Sequence, residues 1–386
     1  MLTKDSSNMI FLHKTLKAIA DSMINVFVPV LILKVTQSML LVMLYLCAYY
    51  PLCSVLNLLL KKFLQKHGLI AIVLHFIPLV IVQFLLNVSL NWYLCLLLAL
   101  LMSFAQVLYY VPINILFSAT DKNVNVSKFE ISTNLGKLIF ILLSGYVLGS
   151  SITNSLLIVS IVSSLIYICS IIPLLVNYGN FKQIYCIPTS GESVKNKKTY
   201  KLFNLYHIQF GIFQTIIDVV IPLYLFINNL TFQSITIIIA LVEVCKMGAY
   251  VIAKHFEKKN LSVLSIIISI FIAIISLFLM LFTKNVIVLY ITSCCLGISF
   301  PLLFSPMFAL FVNKVKQGDN QYDGMTYRDI YIFSFRNVIY LPYFVMPNFI
   351  VQFILGIVCS CSLGLTSAKL IKQNKDELLL TKEENK

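Results

Sequence analysis

The chain has 386 residues, of which 59% are hydrophobic and 11% charged, with a mean hydropathy of +0.92. A soluble domain needs a polar surface, so this composition excludes one and places the chain in a bilayer. The formal net charge of +14 then reflects where lysines sit relative to the membrane, and a nucleic-acid partner is not expected.

Crossing roughly 30 Å of hydrocarbon takes about 20 apolar residues in a helix, because the backbone must satisfy its own hydrogen bonds there. The first six such stretches are predicted at 16–33, 38–60, 69–87, 92–117, 134–150 and 153–176, followed by a polar linker over 177–202. The second six are predicted at 203–227, 232–253, 261–282, 286–312, 328–347 and 348–368, followed by a mixed-charge tail over 369–386. The stretch 134–150 is the shortest of them. The first apolar stretch carries Asp21 and lacks a small-residue cleavage site, so no cleavable signal peptide is expected.

Lysines punctuate these stretches on one side. Lys61, Lys62 and Lys66 follow the second; Lys182, Lys195, Lys197, Lys198 and Lys201 fill the linker; Lys254, Lys258 and Lys259 follow the eighth. The alternate connections contribute only Lys34 and Lys284. Because cytoplasmic loops keep the excess of Lys and Arg, both termini are expected in the cytoplasm of a multi-pass cell (plasma) membrane protein.

The second half repeats the polar landmarks of the first. Asp21, Asn25 and Pro29 recur 193 residues later as Gln214, Asp218 and Pro222, and Lys61, Phe63 and Lys66 recur as Lys254, Phe256 and Lys259. Pro112 and Pro306 are 194 apart. After a polar insertion at 318–324 the offset becomes 199, where Glu130 and Lys137 match Asp329 and Arg336. An even number of crossings per repeat gives both copies the same orientation, related by an axis along the membrane normal. The fold class expected is therefore an all-α membrane protein of 12 transmembrane helices in two parallel six-helix bundles, 1–176 and 203–368.

Catalytic and cofactor chemistry is not expected. The ten cysteines lie almost wholly within the apolar stretches with no CxxC, and the five histidines are scattered, so neither a metal site nor a catalytic triad can be assembled. His75 reads as a packed or hydrogen-bonded residue more than a proton relay. Gly136-Lys137 lacks the remainder of a phosphate loop, which argues against direct coupling to ATP.

Twelve spans in two parallel halves, a long cytoplasmic middle loop and a basic short loop after spans two and eight resemble the major facilitator superfamily over nearly the whole chain. Asn57 to Lys66 and Tyr250 to Lys259 stand where that family carries its glycine, aspartate-arginine and basic loop motif. Both copies keep the positive charge and an aromatic residue and lack the acid, so these loops are expected to bind helix ends or lipid headgroups. Glu130/Lys137 and Asp329/Arg336 are similar to the family's acid followed seven residues later by a base. Gly145 and Gly149 occur without the proline of the antiporter motif, which argues against export. The resemblance implies a solute transporter, working as a monomer in the lipid bilayer without a cofactor or metal, whose spans one, four, seven and ten line a central cavity. It also implies gating loops around Lys61, Lys62, Lys66, Glu130, Lys137, Lys254, Lys258 and Asp329.

Function is sought in polar residues that membrane insertion disfavours, since an ionised side chain at mid-span costs roughly 2.5–3.5 kcal/mol. The substrate or proton pathway is expected at Asp21, Asn25, Gln106, Asn114, Gln214, Asp218, Glu243, Lys246 and Arg336. Asp21/Asn25 and Gln214/Asp218 are i, i+4 pairs on one helix face, each followed a turn later by a proline that frees a carbonyl and permits bending. Two roles stay open for Asp21, which either faces the pathway or pairs with Lys17 one turn back. Glu243 and Lys246 either neutralise each other or part when a proton or substrate arrives. Arg336 either binds a substrate carboxylate or phosphate or serves geometry as the mate of Lys137. Tyr45, Tyr49, Tyr50, Tyr109, Tyr110 and Gln352 add hydrogen-bonding and stacking surface. The function expected is secondary active transport of a small organic solute by alternating access, coupled to protons, with drug/proton antiport or a non-transporting receptor or scaffold as alternatives.

Overall fold

The computed structural model describes residues 4–119, 126–150, 152–185, 198–259, 261–316 and 321–384, and every regular element among them is a helix. In chain order they are α1 (Lys4–Met23), α2 (Val28–Thr36), α3 (Met39–Leu59), α4 (Lys61–Leu74), α5 (Phe76–Leu85), α6 (Trp92–Ala119), α7 (Val126–Gly149), α8 (Ser155–Val176) and α9 (Tyr178–Tyr185). After the linker come α10 (Lys198–Thr215), α11 (Ile221–Ile227), α12 (Phe232–Lys258), α13 (Ser262–Phe282), α14 (Val286–Lys316), α15 (Gln321–Ser334), α16 (Leu341–Val345) and α17 (Ile350–Glu384). Among the described residues, 8 helices are long and apolar enough to cross a membrane, and up to 10 if each bent pair counts as one span.

The expected spans that fall short are 134–150 and 328–347. Of α7, Thr133–Gly149 counts as a shorter apolar helix among the described residues. The segment 328–347 is divided among α15, a 3-10 turn over Arg336–Ile339 and α16. Each carries one of the two repeat-related bases, Lys137 and Arg336, which lowers its hydropathy.

Several boundaries differ from the expected ones. Lys61, Lys62 and Lys66 belong to α4, which follows α3 with only Leu60 between them, and Lys254 and Lys258 lie in the last turns of α12. Lysine is a good helix former whose stem packs while its ammonium reaches water, so these helices continue past the apolar stretch. The linker carries α9 and the start of α10, while its middle, 186–197, lies outside the described residues. The tail after 369 continues α17.

Proline and polar stripe together break the long helices. The chain turns by 42° between α1 and α2, across Asn25–Phe27, with Pro29 in the first turn of α2. A π-helical turn over Ile216–Val220 separates α10 from α11, and Pro222 stands in the first turn of α11. A proline has no N–H to offer the carbonyl four residues back, and those carbonyls belong to Asn25 and Asp218. In the first stripe the Asn25 carbonyl accepts instead from the Val28 N–H, which closes the 3-10 turn one residue before the proline. A third bend of 43° falls at His75 between α4 and α5.

Packing relies on small residues and hydroxyl groups, because lipid offers little hydrophobic force between helices. Gln83 of α5 donates to Ser163 of α8 (2.8 Å) and accepts from Ser164 (3.0 Å), while Ser163 donates to the Ala20 carbonyl of α1 (2.9 Å). Ser265 and Ser269 of α13 reach the carbonyls of Leu302 and Ser299 in α14 at 2.8 and 2.7 Å. Each such contact contributes about 0.6 kcal/mol in membrane helices. α7 packs along both α1 and α12, and α3 along both α6 and α15, so segments from the two repeats are joined at two seams.

Close approach requires glycine at two contacts. A Cβ on Gly145 of α7 would meet Thr236 of α12 at 2.0 Å, and one on Gly211 of α10 would meet the Ile332 carbonyl oxygen of α15 at 2.2 Å. Backbone cannot rotate away as a side-chain tip can, so Gly211→Ala is expected to destabilise by about 1–3 kcal/mol. Thermal unfolding in detergent should show this against Gly179→Ala, where no atom lies within 4 Å and stability is expected to hold.

Candidate functional site

A cavity of about 460 Å³ lies where α1–α3, α6, α7, α10–α12, α14 and α15 converge. All nine residues expected on the pathway line it: Asp21, Asn25, Gln106, Asn114, Gln214, Asp218, Glu243, Lys246 and Arg336. The two repeat-related stripes contribute Asp21, Asn25 and Pro29 from one wall and Gln214, Asp218 and Pro222 from another.

On the first wall, Asp21 is held from several directions. Lys17 lies 2.5 Å away, Asn25 donates to it at 3.0 Å, and the Tyr167 hydroxyl donates to the same carboxylate oxygen. Asn25 also bonds Tyr167 at 2.6 Å. Lys17 rests over the Tyr109 and Tyr110 rings, 4.1 and 5.0 Å from their centroids. Both readings of Asp21 therefore hold geometrically: it lines the cavity and it is paired. Behind this wall His75 bonds the Ile72 carbonyl and packs 4.6 Å from Tyr109, while His13 bonds the Ser170 carbonyl at 2.6 Å.

The second wall is less balanced. Lys246 donates to Glu243 Oε1 at 2.9 Å and lies 3.9 Å from Asp218, so one ammonium stands between two carboxylates. Glu243 is buried, and its Oε2 has no hydrogen-bond partner. The Asp218 side chain is 41% exposed, sits in the π-helical turn, and opens onto the cavity. π-Helical turns inside helices concentrate at functional sites because they re-aim side chains.

Arg336 stands at the start of the 3-10 turn that interrupts the chain after α15. Its residue is only 8% exposed. The guanidinium donates to Gln214 Oε1 at 2.5 Å and lies beside the stacked rings of Tyr50 and Phe333, 5.2 and 4.9 Å from their centroids. Its Nε is buried without a hydrogen-bond partner, and it forms no ion pair among the described residues. The nearby Asp329 is bonded instead to Arg328 at 3.1 Å. Tyr45 and Tyr49 stack at 5.8 Å, and Tyr50 stacks on Tyr340 at 5.9 Å, extending an aromatic surface from α3 beside Arg336.

Some expected positions move. Lys137 and Asp329, expected in gating loops, line the cavity instead, and Lys137 donates to Asn134 at 3.3 Å. The reason is length: α7 and α15 begin before the predicted spans, which carries these residues inward. The side chain of Glu130 lies outside the described residues. Gln352 is buried but not at the cavity. Lys62, Lys66 and Lys258 are exposed and Lys254 half-buried, at one end of the molecule.

At that end Lys61 pairs with Asp323 of α15 at 2.6 Å and lies 4.9 Å from the Tyr327 ring centroid. The first basic loop, which lacks an acid, thus finds its carboxylate across the seam, with the charges exchanged relative to an acid-bearing loop. Along the same seam Ser334 donates to Ser54 at 3.1 Å, and Asn337 to the Cys47 carbonyl at 3.1 Å. At the opposite end Lys34 of α2 donates to the Leu148 carbonyl of α7 at 2.7 Å, and Phe27 packs 5.1 Å from Phe232 of α12.

Sequence reasoning missed Tyr167, Asn134, Arg328 and Asp323. Tyr167 stands in a stretch of aliphatic residues and serines, and nothing in its spacing indicates Asp21. Asp323 lay within the polar insertion at 318–324, which hid it.

With the geometry established, its likeness to known proteins can be stated. No family model and no curated protein sequence matches the chain. Its fold is similar to a bacterial homologue of the iron transporter ferroportin in the outward-facing state, at a TM-score of 0.72 and 12% identity, over 95% of this chain and 99% of that one. The same homologue with soaked iron gives 0.68 at 12% identity, over 96% and 99%. FucP, a major facilitator superfamily transporter in the outward conformation, gives 0.59 at 13% identity, over 94% and 98%. The fold is thus similar to that of a major facilitator superfamily transporter. At these identities the likeness is one of fold.

The cross-seam pair is testable by charge exchange. Lys61→Asp and Asp323→Lys are each expected to lower thermal stability, and the double variant to recover part of the loss. A double-mutant cycle should give a coupling of about 0.5–3 kcal/mol, and a coupling of zero would show that the two charges do not interact.

Proposed function

We propose that the chain is a secondary active transporter that moves a small organic solute across the cell membrane by alternating access. In this reading it has twelve spans in two parallel six-helix units, 1–176 and 203–368, joined by the 177–202 linker, with both termini cytoplasmic. The observation that carries it is the meeting of the two repeat-related polar stripes across one cavity, each beside a helix break. Solute sites in transporters built from repeats lie at such repeat interfaces, where discontinuous helices expose backbone and charge.

The two seams supply the moving contacts. Lys61–Asp323, on the lysine-rich side, holds the cytoplasmic end closed, and α7 against α12 with Lys34 on Leu148 holds the outer end. Rocking one unit against the other breaks one set while keeping the other. The breaks at Asn25–Phe27 and Ile216–Val220 let the cavity-lining helices bend without unpairing a continuous ladder.

Proton coupling runs through Asp21, Asp218 or Glu243. Protonating Glu243 removes its hold on Lys246, whose ammonium is already 3.9 Å from Asp218. The cation then transfers its pairing from a neighbour on its own helix to the π-helical turn of the helix beside it, which ties a proton to the bend. A drug/proton antiporter would use the same groups. A permanently paired receptor is disfavoured by the unpartnered Glu243 Oε2 and Arg336 Nε.

In proteoliposomes under an imposed pH gradient, Asp218→Asn with Glu243→Gln is expected to abolish gradient-driven uptake while leaving exchange. Unchanged gradient-driven uptake would remove proton coupling. Single cysteines placed at Asn114 in a cysteine-free background should be labelled from either side of the membrane, and labelling from one side alone would remove alternating access.

A further inference from the structure

Resting on that transport reading, we infer that the solute is a small organic anion, its carboxylate held by Arg336, and that the cavity does not take a metal cation. The first support is the charge of the lining. Among the described residues lining the cavity, six side chains are cationic (Lys14, Lys17, Lys137, Lys246, Arg328 and Arg336) and four are carboxylates (Asp21, Asp218, Glu243 and Asp329). Three carboxylates are engaged by Lys17, Lys246 and Arg328 within 3.1 Å. The lining therefore carries an excess of two positive charges, which repels a bare divalent cation and attracts an anion.

The second support is Arg336 itself. A guanidinium stays charged in any protein environment, so burial cannot be relieved by losing a proton. An uncompensated buried cation is costly, and this one has a neutral amide, two aromatic faces and an orphaned Nε for company. The adjacent Tyr50 and Phe333 rings and the Gln214 bond hold the guanidinium in place. A planar donor held this way and opening onto a cavity is suited to a carboxylate. The aromatic surface of Tyr45, Tyr49 and Tyr50 beside it accommodates an apolar or aromatic body, and about 460 Å³ lies within the range of small-molecule sites.

The third support is the donor set. Metal sites gather three or more hard or borderline ligands, and among the described residues no three His, Cys, Asp or Glu side chains come together that could hold a metal ion. Asp218 and Glu243, the best-placed pair, have Lys246 between them. The iron named for the structural neighbours thus finds no counterpart in the chemistry of this cavity.

Calorimetry on the purified chain with benzoate, 3-(4-hydroxyphenyl)propionate, succinate, phenyl phosphate, tyramine and manganese(II) tests the assignment. At least one carboxylate is expected to bind, and tyramine and manganese(II) are not. Arg336→Lys keeps the charge and the insertion balance but loses the fork, and should weaken carboxylate binding at least tenfold; Arg336→Gln should abolish it. Preference for phenyl phosphate, lost in Arg336→Gln, would support the anion site and reassign its headgroup. Binding by manganese(II) or tyramine alone, no response to any probe, or carboxylate binding unchanged in Arg336→Gln would overturn it. Binding needs no gradient and no conformational cycle, so failure here leaves alternating access to be judged by two-sided labelling.

Discussion

Every arrangement in this molecule answers one constraint: a charge in a hydrocarbon slab must be paired, carried to the surface, or put to use, because the medium offers no solvation. Lysines at the helix ends take the second course, extending α4 and α12 beyond their apolar stretches. Within the membrane the first course dominates. Lys17–Asp21, Lys246–Glu243 and Arg328–Asp329 are short ion pairs between residues one turn apart or adjacent, so each helix can insert with much of its own neutralisation. Only after these are formed does the cavity assemble from helices that could each enter the bilayer alone.

Breaks follow from the same economy of polar groups. Proline removes the N–H that the carbonyl four residues back would otherwise accept, and at Asn25 the Val28 N–H takes its place in the 3-10 turn, so no acceptor there is left bare to lipid. Proline four residues after a cavity-lining polar residue therefore costs little where it stands and supplies a hinge. The arrangement occurs in both repeats with different local outcomes, a 3-10 turn after α1 and a π-helical turn before α11. Equal spacing of the prolines does not dictate identical backbone, because the residues between stripe and proline differ in bulk and branching.

How far this was legible in the sequence depends on the range of the interaction. The apolar stretches, the register of the repeat and the nine polar residues that meet at the cavity were readable because they rest on local periodicity and on the scarcity of polar residues in apolar surroundings. The spans at 134–150 and 328–347 read as apolar stretches that the repeat independently pairs with each other, although Lys137 and Arg336 dilute their hydropathy. Long-range partners were not readable: Tyr167 reaches Asp21 across 146 positions of sequence, and Lys61 meets Asp323 across the whole middle of the chain. Helix ends also escaped, since lysine-rich segments read as loops from composition but are good helix formers when a helix is already propagating into them.

The two halves of the cavity have diverged in how they treat the same positions. In the first repeat the stripe is closed on itself: Asp21 holds Lys17, Asn25 and Tyr167, leaving little capacity for a ligand. In the second, glutamine stands in place of the aspartate, and its carbonyl oxygen turns to Arg336, much as the amide oxygen of Asn134 meets the repeat mate Lys137. Exchanging Asp for Gln at that position removes the one carboxylate that would have neutralised the arginine. Counted by half, the cavity lining of the first carries Lys14, Lys17 and Lys137 against Asp21, while that of the second carries three cations against Asp218, Glu243 and Asp329, so the excess positive charge lies on the first wall and faces a second wall on which Arg336 is the cation without a bonded carboxylate.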